Sequence, residues 1–219
     1  MTIGFILLIF TGILILFGAG QRVLDRLRLT DRQAIVFIVL IIAGGFIPDI
    51  PIAEGFSVNL GGAMIPLALC GYLWFRADTA YERARCLIAS IITAIAVFLL
   101  GRYLPSQPDA LLIDTSWAYG IAAGLIAWVL GRSRRGAFIA GTLGVMLADV
   151  GNWLYVRAMG VGQTLALGGA GGFDVIVIAG LLAVLVSELT GELAERFRRG
   201  RQKPVREFRN GSFVGREQR

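Results

Sequence analysis

Between Arg85 and Arg102 the chain reads Cys-Leu-Ile-Ala-Ser-Ile-Ile-Thr-Ala-Ile-Ala-Val-Phe-Leu-Leu-Gly, residues 86–101, sixteen positions without a charge. A helix needs about 20 apolar residues, with roughly 17 as the lower edge, to cross the hydrocarbon core of a bilayer. This run, bracketed by two arginines, therefore reads as a short transmembrane helix. Six more uncharged or nearly uncharged runs lie outward from it, at 3–20, 33–48, 60–75, 115–131, 136–156 and 171–187. The runs at 33–48 and 60–75 are also short, and flanking residues such as 50–53 are expected to extend them. The expected fold is all-α: a polytopic membrane protein with seven transmembrane helices over 1–194 and a basic cytoplasmic tail over 195–219.

Composition agrees. Of 219 residues 56% are apolar and only 16% charged, with mean hydropathy +0.73; soluble domains carry about a quarter charged residues. No window remains for a soluble catalytic domain. The absence of histidine excludes a Ser-His-Asp triad, histidine-based zinc or di-iron sites and bis-His haem. The only lysine, Lys203, lies in the tail, which excludes a retinal Schiff base within the helices. Cys70 and Cys86 fall within or at the end of apolar runs and read as small buried apolar side chains. No metal and no cofactor is expected.

Charge sets the orientation. The basic residues of alternate loops (Arg22, Arg26, Arg28 and Arg32; Arg76, Arg83 and Arg85; Arg132, Arg134 and Arg135), together with nine in the tail, number nineteen. The opposite loops hold only Arg102 and Arg157. The positive-inside rule then places the N-terminus outside and the C-terminus inside. From residue 195 onward nine basic residues face three acids, a net of +6, and the rest of the chain is neutral. Such a tail suits anionic lipid, at about 1 kcal/mol per residue near the surface. Its aromatics, Phe197, Phe208 and Phe213, form no stacking motif, so no nucleic-acid partner is expected. The first run has no basic flank before it and exceeds the 7–15 residues of a signal-peptide core, so it is expected to remain as a helix.

An internal echo organises the spans. Asn59-Leu60-Gly61-Gly62-Ala63 opens the third run, and Ala166-Leu167-Gly168-Gly169-Ala170 precedes the seventh. Each copy follows a helix with an aspartate near its end, Asp49 in one case and Asp149 in the other. The echo suggests repeats 1–76 and 115–194 joined by a linker helix over 86–101. An odd linker keeps both triplets the same way up, the parallel repeat seen in some transporter folds.

Charges inside spans are rare and mark function by default. Asp149 lies seven residues before the outer end of its run, about 10 Å deep at 1.5 Å per residue. Asp174 lies at the outer start of the next run, after a glycine-rich segment. Asn152 shares a helical face with Asp149, Asp49 is a further acid from the other triplet, and Arg157 is the cation expected to reach toward the aspartates. Two readings of Gly168, Gly169, Gly171 and Gly172 stand. The backbone leaves regular helix to line a polar cavity, or the glycines permit close contact between elements or simply form an outer loop. The aspartates likewise stand either as ligands or as structural groups, Asp174 as a helix cap and Asp149 as a partner of Arg157 or of a helix-end amide. Trp117, Trp153, Tyr103 and Tyr155 fall at outer span ends, as an interfacial belt does.

Asn59-Leu60-Gly61-Gly62-Ala63-Met64-Ile65-Pro66-Leu67 resembles an NxGGAxIPL signature. Ala148-Asp149 followed by Gly168-Gly169-Ala170-Gly171-Gly172-Phe173-Asp174 resembles an AD…GGAGxFDG pattern. Both signatures are those of a prokaryotic membrane-protein family, domain of unknown function 1614, with Val175 standing where that pattern has glycine. The resemblance runs from the second span to the seventh and implies a shared polar core around Asn59, Pro66, Asp149 and Asp174; it implies no reaction. Gly171-Gly172-Phe173-Asp174 is also similar to the GxGD motif of signal-peptide-peptidase and presenilin-type proteases. Phe173 stands in place of the second glycine there, and Pro66-Leu67-Ala68-Leu69 only resembles the accompanying PAL motif.

Three functions follow from these residues. A carrier or channel for a small solute or cation would use Asp149 and Asp174 as binding groups, with Asn152, Asn59 and the glycine backbone completing the site. An intramembrane aspartyl protease would use the same two carboxylates as catalytic groups sharing one proton. A non-catalytic membrane scaffold would keep both as structural groups.

Overall fold

The computed structural model describes residues 29–103, 115–131, 133–171, 174–201, 206–209 and 212–215. The expected first span, 3–20, lies outside the described residues. The chain is mostly helical. α1 (Asp31–Gly45) is followed by strands β1 (Ile50–Ala53) and β2 (Phe56–Val58), a π-helical turn (Leu60–Met64) and α2 (Ile65–Phe75). Next come α3 (Ala80–Tyr103), α4 (Thr115–Gly131), α5 (Arg134–Ala158), β3 (Leu165–Leu167) and α6 (Val175–Arg201). Strands β4 (Arg206–Arg209) and β5 (Ser212–Gly215) close the order. Two compact units divide the chain, Met1–Ser187 and Glu188–Arg219. The second unit contains the end of α6 and an antiparallel β4–β5 hairpin that pairs Phe208 with Phe213.

Local chemistry sets the helix ends. Thr30 opens α1 with a capping box, its hydroxyl accepting from the Gln33 N–H while the Gln33 side chain accepts from the Thr30 N–H. α1 stops at Gly44-Gly45, just before Pro48, a residue with no N–H to continue a helical ladder. Ser133 caps α5 through the Gly136 N–H, and Pro66 sits in the first turn of α2, where its missing donor costs nothing. α3 and α5, with 24 and 25 residues, are long and apolar enough to cross a membrane. Four shorter apolar helices accompany them, Ile35–Gly45, Leu60–Phe75, Gly120–Gly131 and Val175–Ser187.

α5 is the hub: α2, α3 and α4 all pack on it. Small residues set the spacing. A Cβ on Gly144 would lie 2.6 Å from Thr93 of α3, and one on Gly141 would lie 2.9 Å from the Ala179 carbonyl of α6. The buried residues between these helices are chiefly Ala, Val and Ile.

The two ends of the bundle differ in chemistry. At one end the buried Arg135 donates to the Arg76 carbonyl at 2.7 Å and to Asp78 at 3.0 Å, with Glu82 at 3.6 Å. Ser133 donates to Glu82, so the α2–α3 connection is tied to the start of α5. Arg76, Arg83, Arg85 and Arg134 belong to that same end. The opposite end carries the sheet, with Arg102 over the Tyr155 and Phe98 rings and Arg157 over Trp153.

The sheet corrects the sequence expectation at 50–53. Those residues do not lengthen a helix; they form β1, antiparallel to β2. Two prolines, Pro48 and Pro51, deny that segment helical donors. β2 in turn pairs in parallel with β3, Val58 opposite Leu167. Both copies of the echoed Leu-Gly-Gly-Ala thus emerge side by side from neighbouring parallel strands. They then diverge, the first into the π-helical turn and the second into a turn with Gly168 at φ 72° and Gly171 at φ 60°.

The contact between the copies is backbone on backbone. A Cβ on Gly62 would collide with the Gly168 carbonyl, and one on Gly168 would lie 2.5 Å from the Ala63 nitrogen. Gly171 meets Gly45 in the same way, at 2.8 Å, and Gly44 meets Gly61 at 2.8 Å. Gly160 shares the positive φ of Gly168, at 76°, but faces open space. Comparing alanine at these two positions separates backbone strain from packing. Gly160→Ala should cost about 1–2 kcal/mol, and Gly168→Ala roughly 1–3 kcal/mol more from overpacking. Thermal unfolding of the two variants in detergent checks this, and equal midpoints would refute the glycine junction.

Candidate functional site

The candidate site lies at the sheet end, where α1, the π-helical turn, β3 and the start of α6 converge. Asn59 is its most committed side chain and is almost completely buried, at 2% exposure. Its Oδ1 accepts from the N–H groups of Gly61 and Gly62, both at 2.9 Å. Its Nδ2 donates to the Ile47 carbonyl at 3.2 Å and to Asp49 Oδ1 at 2.8 Å. An amide side chain has two donor hydrogens and two acceptor lone pairs, and all four are used. The Asn59 N–H donates to the Leu167 carbonyl, so this one residue ties the end of α1, the first glycine motif and β3 together.

Asp49 is brought into the cluster by that bond. Its other oxygen faces Gly169, 3.5 Å from where a Cβ on that residue would stand. Asp174 stands immediately before α6. It accepts from the Ile176 N–H through Oδ1 at 3.1 Å and from the Ala170 N–H through Oδ2 at 3.3 Å. This is the arrangement of a helix cap, a carboxylate meeting the free N–H groups and the positive end of the helix dipole. It also fastens the Gly168–Gly171 turn, whose own bonds run from Gly171 N–H to the Gly168 carbonyl and from Asp174 N–H to the Gly171 carbonyl.

Asp149 is different. It lies on α5 between Ala148 and Val150, residues that pack with Ala63, Leu167, Val175 and Ile176. Its carboxylate is within electrostatic range of Asp174, and Asp174 is within range of Asp49. Among the described residues none donates a hydrogen bond to Asp149, and neither Asp149 nor Asp174 has an ion-pair partner. Asp174 thus has an electrostatic link to each of the other two acids, Asp149 and Asp49.

Arg157 does not reach them. Its Nη1 donates to the Glu54 carbonyl in the β1–β2 turn at 3.0 Å, and its guanidinium lies 5.3 Å from the centre of the Trp153 ring. The Asp149–Arg157 pairing, one of the structural alternatives for Asp149, is not formed, because the guanidinium is taken up by the β1–β2 turn. Asn152 is exposed and has no described bond to the acids. Gly168 and Gly171 are buried in backbone contacts and Gly169 is exposed. Gly172 and Phe173 lie outside the described residues. Between the two readings of the glycines, close contact is the one that Gly168 and Gly171 display.

Sequence reasoning placed Asp49 only at the margin of the cluster. Its signal was available as Pro48-Asp49 ten positions before Asn59, but the bond between them depends on the β1–β2 hairpin folding back. Trp153, one turn from Asp149, packs on Phe56 of β2 with ring centres 5.2 Å apart, so it belongs to the packing beneath the sheet.

Residues 23–186 match the family described as a protein of unknown function, DUF1614. The chain belongs to this family. The match takes in the whole described part of the bundle from Leu29 to Val186, including Asn59, Asp149, Asp174 and both glycine motifs. Comparison with curated proteins and with solved structures returns no match.

Asn59 gives this DUF1614 chain a direct test of its central latch. Asn59→Ala leaves two buried N–H groups unpaired, at about 1–3 kcal/mol each, and should lower the unfolding midpoint strongly. Asn59→Asp loses the donations to Ile47 and Asp49 and sets two carboxylates together. Adding Asp49→Asn to Asn59→Asp restores a donor opposite an acceptor and should recover part of the loss. Circular dichroism melts of the three variants measure this; an unchanged midpoint for Asn59→Ala would sink the latch.

Proposed function

We propose that this DUF1614 protein is a seven-helix inner-membrane protein that binds and passes a small cation or proton through an aspartate-centred site in the outer leaflet. The observation that carries the proposal is the state of Asp149: a carboxylate on a membrane-length helix, within range of Asp174, with no hydrogen-bond donor and no ion pair among the described residues. Neighbouring carboxylates in a low-dielectric setting are relieved by a bound cation or a shared proton. Arg157, the cation nearest in sequence, is committed to Glu54.

The membrane topology in this proposal has its own support. The chain is mostly helical, with two helices long and apolar enough to cross a bilayer and four shorter apolar ones. Among the described residues, Arg76, Arg83, Arg85, Arg134 and Arg135 of the expected inner loops lie at one end of the bundle, where Arg135 meets Asp78 and Glu82. The N-terminus is then outside and the C-terminus inside, with the basic tail against anionic lipid. A parallel repeat draws support from the two Leu-Gly-Gly-Ala copies, which leave neighbouring parallel strands.

In the carrier or channel, Asp149 is the exchanging ligand. Asp174 is held by backbone N–H groups and contributes charge, and Asp49 extends the acidic field toward the sheet. Asn152, on the exposed side of α5, serves the entrance. The scaffold reading has one observation in its favour: Asn59 and Asp174 are fully engaged in holding backbone. The protease reading is the weaker alternative, since both oxygens of Asp174 face N–H groups of its own loop and helix, the posture of a cap.

Purified protein in detergent and in proteoliposomes decides between these. A cation supplied at a hundred times its Kd stabilises a folded state that binds it by about 2.7 kcal/mol. Screening Na+, K+, Li+, Mg2+ and Ca2+ by thermal unfolding, with pH-dye flux for protons, should reveal one such ion or a proton flux. Asp149→Asn should abolish it while the protein remains folded. If no cation stabilises, no flux is seen, and Asp149→Asn only lowers the yield of folded protein, the scaffold reading replaces transport.

A further inference from the structure

The segment 46–53, Phe-Ile-Pro-Asp-Ile-Pro-Ile-Ala, joins α1 to the β1–β2 turn and has an unusual outward surface. Phe46 is 84% exposed and Ile52 62%, and Ile47 and Ile50 are also exposed; all four residues of β1 are open. The only charged side chain in the segment, Asp49, is turned inward onto Asn59 at 2.8 Å. The face presented outward is therefore entirely apolar.

Its backbone is also partly depleted of free donors. Pro48 and Pro51 have no N–H, while the N–H groups of Phe46 and Ile47 donate to the Ala43 and Gly44 carbonyls. β1 is an edge strand of the sheet; unpaired N–H and C=O groups oppose placing an edge in lipid, and each missing donor lowers that cost. The polar part of the hairpin is confined to its turn, where Arg157 grips the Glu54 carbonyl. The apolar surface continues onto Val36, Val39 and Leu40, which are exposed along α1.

We propose that the segment 46–53 is a lipid-seated edge, with Phe46, Ile47, Ile50 and Ile52 immersed at the boundary between headgroups and acyl chains of the outer leaflet. The turn at Glu54 and Gly55 stands in water, and Arg157 marks the level between them. This inference rests on the membrane reading above. It adds a binding surface for lipid that fixes the depth of the sheet, and with it the depth of the acidic cluster tied to Asp49. Interfacial segments of this kind seat their apolar face about 5–10 Å into the boundary region.

Spin labels on single introduced cysteines test it in proteoliposomes of phosphatidylethanolamine and phosphatidylglycerol; the native Cys70 and Cys86 are buried and stay unlabelled. The sites are Ile52→Cys and Phe46→Cys for the edge, Glu54→Cys for water, and Ile95→Cys for the exposed apolar face of α3. Accessibility to oxygen, which partitions into lipid, is compared with accessibility to a water-soluble nickel chelate. The expected result is an oxygen-to-nickel ratio at 52 and 46 several-fold above that at 54 and below that at 95. A high ratio at 95 with a water-like ratio at 52 and 46 overturns the lipid-seated edge and leaves the membrane reading standing. A water-like ratio at 95 overturns the membrane reading itself. Low access to both reagents at 52 means that a protein, a partner or a second copy, covers the edge, and this also overturns the proposal.

Discussion

Everything at the sheet end depends on backbone meeting backbone without side chains between. Gly62 lies against Gly168, Gly61 against Gly44, and Gly171 against Gly45, so three segments of chain converge with no Cβ to hold them apart. Such contacts bring peptide dipoles close together, and their polar groups need partners inside a poorly solvated region. Asn59 supplies several of these at once, with two N–H groups on its oxygen and a carbonyl and a carboxylate on its nitrogen. Asp174 does the same for the second motif. The junction and its two polar latches form one device.

That device explains why the acids meet. Asp49 is drawn in by Asn59, Asp174 is placed by the turn that Gly168 and Gly171 allow, and Asp149 arrives on the long helix that forms the hub of the bundle. Two of the three are engaged by the chain. The third has no partner among the described residues. The opposite end follows another logic: Arg135 is buried but fully engaged by Asp78, Glu82 and the Arg76 carbonyl, so charge there serves to tie two connections together. A buried charge without such partners would be strongly destabilising.

Much of this was legible in the residues themselves. The run at 115–131 coincides with α4 to the residue, and 60–75 ends where α2 ends, because apolar runs bounded by arginine, glycine or proline leave little choice of helix. The cap on Asp174 was among the readings open from sequence, since a carboxylate just before an apolar run is a common helix start. The last apolar run ends at Ser187 as its sequence suggests, while α6 itself continues to Arg201, because arginine and glutamate are good helix formers and polarity alone does not stop a helix.

The sequence by itself determined the mostly helical character of the chain, its family and the residues worth testing. Those follow from composition and local spacing, and they need no knowledge of which segments touch. Only the tertiary structure decided that 50–53 is an edge strand, that the two glycine motifs lie side by side, that Asp49 joins the acids, and that Arg157 turns away to Glu54. Each of these is a pairing between segments remote in the chain, such as Val58 with Leu167 or Arg157 with Glu54. No local pattern encodes a partner a hundred residues away, because the choice among acceptors is made by whichever one packing brings within hydrogen-bonding reach.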